Sequence, residues 1–196
     1  QACRRAGIDP ITQAIPVAAA AHYHMGGVAV DQTGRSSMSG LWVCGEAAST
    51  GLHGANRLAS NGVLEALVFA RACATDISAR ITPSIAAPVT IAFNGTGVVP
   101  DLDGVASLRQ TMTALVGVRR TGDGLRKALA IIDNLDAAQP DCPDFANMCA
   151  TARLIAASAL ARCESRGAHW RDDYPATDPA QATRSFITHA TAMERA

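Results

Sequence analysis

The stretch from Leu41 to Glu65, LWVCGEAASTGLHGANRLASNGVLE, constrains this chain more than any other feature. It opens with a short apolar run, LWVC, which predicts a buried strand that ends at Gly45-Glu46. A Gly-rich loop follows, and it carries one acid, one His and one Arg. The next apolar pattern predicts a helix from near Ser60-Asn61 to about Ile77. A strand, a bare loop and a helix start in this order are suited to a cofactor.

Glu46 is the candidate acid of this loop. The glycine before it lets a ligand approach the backbone, because glycine has no side chain. A carboxylate at that point can accept hydrogen bonds from sugar or ribityl hydroxyls. The alternative is an ordinary solvated loop acid, and an isolated Gly-Glu pair would favour it.

The start of the predicted helix is a second candidate contact. Its first N–H groups have no partners within the helix, and the helix dipole adds partial positive charge. The backbone N–H groups of Gly62 and Val63 could therefore stabilise a negatively charged ring such as a reduced flavin by about 0.3–2 kcal/mol. Ser60 or Asn61 is the predicted N-cap. The alternative is a capped surface helix without a ligand.

Three cationic or hydrogen-bonding side chains lie near these elements. Arg57 offers a planar fork that suits a carboxylate, and His22 and His53 can each donate a hydrogen bond to one. Each alone would usually be structural. A functional role is favoured because several such residues lie close together: His53, Gly54 and Arg57 share one turn beside the strand end.

Composition excludes several functions. The 196 residues carry no net charge, with a pI of about 7.1, so nothing indicates capture of nucleic acid or of an anionic membrane. No uncharged apolar run reaches about 18 residues, so no transmembrane helix is predicted.

Six Cys without a CxxC pair predict reduced thiols in a cytoplasmic protein. A metal site at Cys142, Cys149 and Cys163 is a weak alternative. The chain begins at Gln1 without Met or signal peptide, which favours a fragment.

The flanking sequence predicts a mixed fold. Val28–Asp31 is the pattern of a strand, and Gly34 takes the positive φ of the turn after it. Residues 80–104 form a Pro- and Gly-rich connector with one possible short strand, Val89–Phe93. Apolar spacing then predicts helices over about 104–117, 123–138 and 144–165, which short links would join into an antiparallel three-helix bundle.

The segment Glu164–Pro175 mixes Arg, His and acid just after the third helix. A structural interpretation is favoured over a catalytic one. Gly167 would end the helix at the C′ position, and the charged residues would form a surface ion-pair network.

Three segments together resemble the succinate dehydrogenase/fumarate reductase flavoprotein superfamily: PVAAAAHYHMGGVAVDQTGR, LWVCGEAASTGLHGANRLASNGVLEALVFA and ESRGAHWRDDYP. The variants AAHY and HGANRLASN favour its L-aspartate-oxidising branch, because succinate dehydrogenase subunits look more like PTxHY and HGANRLGxN. The resemblance covers nearly the whole chain. It implies an FAD enzyme that converts L-aspartate to iminoaspartate, that O2 or fumarate reoxidises, and that serves NAD biosynthesis through quinolinate. A fumarate reductase or succinate dehydrogenase type of flavoprotein is the alternative.

The resemblance also implies roles for individual residues. The substrate-binding His and Arg fall on His22 and Arg57, and the FAD-contacting acid falls on Glu46. The flavin contacts at the helix start fall on Gly62 and Val63, with Ser60 and Asn61 as weaker candidates. The superfamily usually has Ser where Gly62 stands, which matters only if the hydroxyl makes the contact.

The dinucleotide fingerprint GxGxxG and the proton-transfer Arg of the superfamily are absent from this sequence. No catalytic proton donor is therefore assigned here, and both features are expected upstream of Gln1. Residues 1–23 would end the substrate-capping domain, residues 24–93 would be an incomplete Rossmann-like FAD-binding segment, and residues 94–196 would be the helical domain. The fragment alone is expected to be inactive and without FAD. The helical part could instead be an interaction module, with quinolinate synthase as a possible partner.

Overall fold

The computed structural model of the chain describes residues 1–17, 22–81, 90, 92 and 97–194. Two short parallel ribbons and six helices account for the regular structure of this part, which confirms the predicted mixed α/β plus α class. The possible strand Val89–Phe93 lies outside the described residues except at positions 90 and 92. In chain order the elements are α1 (Ala2–Arg5), β1 (Val28–Ala29), β2 (Ala48–Ser49), α2 (Asn61–Arg80), α3 (Leu102–Leu115), β3 (Arg119–Arg120), α4 (Gly122–Ala137), α5 (Pro143–Ala161), β4 (Trp170–Arg171) and α6 (His189–Glu194), with 3-10 turns at Gly45–Ala47 and Pro179–Gln181.

The first ribbon pairs β1 with β2 in parallel, with Val28 opposite Ala48 and Ala29 opposite Ser49. Gly34 lies at φ +76 as predicted. The predicted buried strand at 41–44 is wrong, because that run makes only one antiparallel bridge, from Trp42 to Arg35. The 3-10 turn that begins at Gly45 ends the extended run, and pairing resumes only beyond it, at β2.

Helix α2 begins at Asn61, close to its predicted start, and continues to Arg80. Ser60 occupies the N-cap position at φ +70, but its side chain makes no capping bond, so its predicted capping role is wrong. The predicted apolar face exists, but no described residue covers most of it. Four of its side chains are 59–68% exposed: Val63, Leu64, Leu67 and Val68.

Helices α3, α4 and α5 share one apolar core, which confirms the three-helix bundle. Side chains cap two of the helices at their N-termini: the Asp101 carboxylate accepts from the Gly104 N–H at 2.8 Å, and Thr121 Oγ1 accepts from the Gly124 N–H at 3.1 Å. The short helix α6 adds Ala192 to the same core. The fully buried side chains at its centre are Leu125, Leu129, Ile132, Phe145 and Cys149.

One buried cation joins α5 to α4. Arg153 donates through Nε and Nη2 to the Asp133 carboxylate at 2.9 and 2.8 Å, and through Nη2 to Asp136 at 3.1 Å. Its side chain is almost completely buried, while both carboxylates are partly exposed. The two ion pairs therefore fix how the helices lie against each other.

The end of α5 differs from its prediction. The helix stops at Ala161, and Gly167 is not its C′ residue. The last carbonyls instead accept hydrogen bonds from the buried guanidinium of Arg171, whose Nη1 lies 2.9 Å from Ala159 O and 3.1 Å from Leu160 O. Asp173 pairs with the same guanidinium at 2.8 Å. A long-range arginine thus satisfies carbonyls for which the sequence pattern had predicted a glycine cap.

The predicted surface network around Glu164 is buried at its centre. Glu164 is fully buried, and it accepts from Arg162 at 2.7 Å and from Arg166 at 2.9 Å. The bonds from Arg166 are the main cause that lowers the pKa of Glu164 to about 2. The acid therefore stays charged and holds the segment after α5 in place.

Candidate functional site

The segment 22–25 lies against the loop that carries Arg57. The Arg57 guanidinium carbon lies 4.5 Å from the centre of the Tyr23 ring, within cation–π range. The Arg57 backbone N–H points to the sulfur of Met25 at 3.1 Å. His22, which is exposed, immediately precedes Tyr23. Two residues predicted to bind substrate thus belong to segments that touch.

Arg57 is half-buried, and most N–H groups of its guanidinium have no hydrogen-bond partner among the described residues. In the part of the chain that the structure describes, its side chain donates one hydrogen bond, from Nη1 to Leu58 O at 3.4 Å. Within the described ranges, no carboxylate forms an ion pair with it. A half-buried guanidinium in this state suits a carboxylate ligand.

Glu46 is tied to the same segment. Its Oε1 accepts a hydrogen bond from the His24 N–H at 2.9 Å, and the side chain remains exposed. The second carboxylate oxygen can therefore accept from a ligand hydroxyl. This arrangement fits the predicted contact with a ribityl chain.

The start of α2 also fits a ligand contact. No side chain in the described part of the molecule caps its first turn, and Ser60 there holds a left-handed backbone. Gly62 is buried, and a Cβ at this position would lie only 2.7 Å from Cε2 of Tyr23. The glycine thus has a structural reason in this chain, since it makes room for the tyrosine ring. Asn61 and Val63 flank it in the first helical turn.

A buried cluster around Glu65 escaped the sequence analysis. Glu65 is 2% exposed, and Tyr23, Thr50 and His53 all hydrogen-bond its carboxylate. Tyr23 OH lies 3.3 Å from Oε2, and His53 Nε2 lies 2.5 Å from the same oxygen. The one local signal was an acid in the first turns of an otherwise apolar helix.

His53 contacts this protein carboxylate, whereas the sequence suggested a donor for a ligand. Its side chain is 6% exposed, and its Nδ1 has no hydrogen-bond partner among the described residues. Its ring also packs edge-on against Tyr23, with the centroids 5.3 Å apart. His53 therefore belongs to the support of the loop.

Residues of the helical region form hydrogen bonds to the loop that carries Arg57. The Ala168 N–H donates to Ala55 O at 2.9 Å, and the turn at Gly167 lies so close to Ala55 that no Cβ would fit. Arg184 donates to Ser49 O at 2.5 Å and to Thr50 O at 3.3 Å. The loop position is thus set by residues more than one hundred positions later in the chain.

A cleft of about 460 Å³ lies between this loop and the segment after α5. Four arginines line it: Arg120, Arg162, Arg166 and Arg184. Each of them already donates to a backbone carbonyl or to Glu164. His53 is among its lining residues, but His22, Glu46, Arg57 and the first turn of α2 are not.

Comparisons with known proteins identify the family. Residues 1–63 match the family described as FAD binding domain, and residues 139–196 match the family described as fumarate reductase flavoprotein C-term. The L-aspartate oxidase of Rhodospirillum rubrum is 54% identical over 94% of this chain and 67% of its own length. That of Caulobacter vibrioides is 47% identical over 96% of this chain, but the match spans only 35% of its own length.

Solved structures agree at lower identity. A quinol fumarate reductase with menaquinol is 28% identical, with a TM-score of 0.77 over 92% of this chain and 37% of that one. An E. coli quinol fumarate reductase with an E245Q mutation in FrdA is 28% identical, with a TM-score of 0.74 over 92% of this chain and 36% of that one. The higher identity to the oxidases favours that branch over the fumarate reductases. The chain therefore belongs to the L-aspartate oxidase family, within the succinate dehydrogenase and fumarate reductase flavoproteins.

Proposed function

We propose that the intact protein is an FAD-dependent oxidase that converts L-aspartate to iminoaspartate. The observation that carries this is the open guanidinium of Arg57, which lies on Tyr23 beside the exposed His22. Electrons would pass on to O2 or fumarate, and the product would enter NAD biosynthesis.

Arg57 and His22 would hold the two carboxylates of the substrate. Arg57 can bind one carboxylate through two parallel hydrogen bonds, and His22 can donate to the other. Two such contacts fix the orientation of a short dicarboxylate and so favour a reactive geometry. No residue of this chain is assigned as the proton donor. We expect that residue in the part of the intact protein upstream of Gln1.

Glu46 and the start of α2 would bind the cofactor. FAD, when bound, supplies the two-electron acceptor for the reaction. Glu46 would accept hydrogen bonds from its ribityl hydroxyls, and the N–H groups of Gly62 and Val63 would face the flavin ring. Ser60 and Asn61, which directly precede this turn, would be weaker contacts to the cofactor. A helix N-terminus stabilises negative charge by about 0.3–2 kcal/mol.

We also propose the domain limits 1–23, 24–93 and 94–196 for the capping, FAD-binding and helical parts. The exposed apolar face of α2 supports this assignment, because four large apolar side chains would pack against the remainder of an FAD-binding domain. The chain spans about two thirds of the R. rubrum relative and about one third of the C. vibrioides relative.

The test is Arg57→Ala in the full-length, FAD-loaded enzyme. We expect KM for L-aspartate to rise by about 100-fold, the loss expected for a charged hydrogen-bonded contact, while flavin absorbance stays unchanged. Arg126→Ala is the control, because Arg126 is exposed and its one ion pair in the described part of the chain is with the exposed Asp123. Unchanged aspartate kinetics in the Arg57 variant would overturn the assignment.

Two further measurements define the reaction. Comparing L-aspartate with succinate as reductant separates the oxidase from a fumarate reductase type of enzyme, and we expect aspartate to reduce the flavin faster. The isolated 196-residue chain should be colourless and should produce no aspartate-dependent peroxide. A yellow, active preparation would contradict that expectation.

We further propose a cytoplasmic protein that can dock quinolinate synthase through its helical part, since iminoaspartate is unstable and a direct transfer would protect it. No helix among the described residues is long and apolar enough to cross a membrane. Co-purification of the two full-length proteins tests the docking, and independent elution at micromolar concentrations would oppose it.

A further inference from the structure

Glu65 is a buried carboxylate for which the proposed reaction has no use. It is 2% exposed, and burying an unpaired carboxylate is strongly unfavourable. Among the described residues, no arginine or lysine forms an ion pair with it. Three hydrogen bonds, from Tyr23, Thr50 and His53, compensate instead. Such a complete set of donors around one acid indicates a role in fixing geometry.

The three donors come from the two segments that carry the proposed substrate contacts. Tyr23 directly follows His22, and Thr50 and His53 lie at the start of the loop that reaches Arg57. The carboxylate therefore connects the two sides of the proposed dicarboxylate site. Because Glu65 is buried, it makes this connection inside the protein and not at the surface of the site.

Tyr23 is the link between Glu65 and Arg57. Its hydroxyl donates to Glu65, and its ring lies under the Arg57 guanidinium at 4.5 Å. Burial, followed by the charge of Glu65, raises the pKa of Tyr23, so the hydroxyl remains a donor at neutral pH. The Gly62 backbone and the His53 ring confine the tyrosine ring from two sides.

We propose that Glu65 is a positioning residue that sets the separation of His22 and Arg57, and so the fit of the dicarboxylate, without touching it. This rests on the proposed function. Glu65 holds Tyr23 by its hydroxyl, Tyr23 holds the Arg57 guanidinium on its ring face, and His53 holds the intervening loop to the same acid.

The experiment uses the full-length, FAD-loaded enzyme with Glu65→Gln and Tyr23→Phe. The amide keeps the size of Glu65 but removes its charge and one acceptor oxygen, while Tyr23→Phe removes only the hydroxyl. We expect each to raise KM for L-aspartate by about tenfold, with kcat changed less than about threefold. A titration with succinate, followed by flavin absorbance, should show the same loss of affinity without turnover.

The double variant tests whether the two residues act as one unit. If Glu65 works through Tyr23, the combined change in KM should be close to that of Glu65→Gln alone, whereas independent effects would multiply to about 100-fold. Glu65→Asp, which restores the charge on a shorter side chain, should recover part of the affinity. A residue that only stabilises the fold would lower the melting temperature without this split between KM and kcat.

The outcomes separate this inference from the proposed function. If Arg57→Ala weakens aspartate binding but Glu65→Gln and Tyr23→Phe do not, Glu65 is not a positioning residue and the function stands. If Arg57→Ala leaves aspartate kinetics unchanged, the function itself is wrong. If Glu65→Gln fails to fold, Tyr23→Phe decides alone, and an unchanged KM overturns the proposal.

Discussion

Arg120 donates a hydrogen bond from its Nη1 to Nδ1 of His169 over 2.9 Å. Because a guanidinium cannot accept a hydrogen bond, Nδ1 must carry a lone pair. The ring proton is then on Nε2, which donates to Arg162 O at 3.2 Å. Burial is the main cause that lowers the pKa of His169, and the charges of Arg120, Arg171 and Arg162 lower it further. The imidazole is therefore neutral in the folded protein at pH 7.

This gives the chain a pH dependence of known sign. The folded pKa of His169 lies below the unfolded value of about 6.5, so the folded state binds fewer protons between the two values. The stability it contributes is complete above about pH 6.5 and is lost as the pH falls through the folded pKa. We expect the urea midpoint to be lower at pH 5 than at pH 7.5, and His169→Gln to reduce that difference.

Glu164 does not account for that change. Its folded pKa of about 2 lies below its unfolded value, so its contribution is complete above about pH 4.5 and falls only as the pH approaches 2. An equal pH dependence in the wild-type chain and the His169 variant, measured between pH 5 and 7.5, would contradict the assignment to His169.

Arg153 should matter far more to the stability of the helical bundle than an exposed arginine does. Arg153→Ala leaves Asp133 and Asp136 without their partner and opens space in the core, so we expect a loss of about 3 kcal/mol in the free energy of unfolding. Arg126→Ala removes an exposed pair and should cost less than about 0.5 kcal/mol. Urea unfolding followed by circular dichroism measures both. Equal losses would show that burial does not set the difference.

Gly62 should control the tyrosine that supports Arg57. Gly62→Ala places a Cβ 2.7 Å from Cε2 of Tyr23, so the ring must move from beneath the guanidinium. We expect KM for L-aspartate to rise by about threefold to tenfold in the full-length enzyme, with FAD retained. Arg71→Ala, an exposed change on the same helix, is the control. Unchanged kinetics with an unmoved ring would contradict the expectation.

Gly167 tests the contact between the helical region and the loop. Gly167→Ala imposes a left-handed backbone on a residue with a Cβ, and that Cβ would lie 2.6 Å from the carbonyl carbon of Ala55. Gly97→Ala imposes the same type of backbone strain with no atom within 4 Å. We expect a loss of about 1 kcal/mol for Gly97 and about 3 kcal/mol for Gly167. Similar losses from thermal unfolding would mean that the loop moves away freely.

The helices were predictable because their signals are local. The apolar spacing around Leu125 and Leu129 lies within α4 itself. The capping residues Asp101 and Thr121, which were not predicted, directly precede α3 and α4. The candidate residues Glu46 and Arg57 could be named from their motif and chemistry, but only the resemblance assigned them to FAD and to the substrate. Those roles stay predictions.

The remainder depends on contacts between distant parts of the chain. Tyr23 and Glu65 are 42 residues apart, so no local pattern connects them. Arg171 replaced the predicted cap at Gly167 because a buried guanidinium returns to α5 from a later ribbon. The apolar spacing in α2 correctly predicted an apolar helix face. Such spacing cannot predict which part of the protein covers that face.

Arg184 reaches the carbonyl of Ser49 from 135 positions further along the chain. A stop codon just before it would delete this bond and α6 while leaving α3, α4 and α5 with most of their shared core. The loop that carries Arg57 would then lose one of its supports. Loss of the segment that begins at Arg184 should therefore weaken substrate affinity, even though this segment lies far from the proposed site in the sequence.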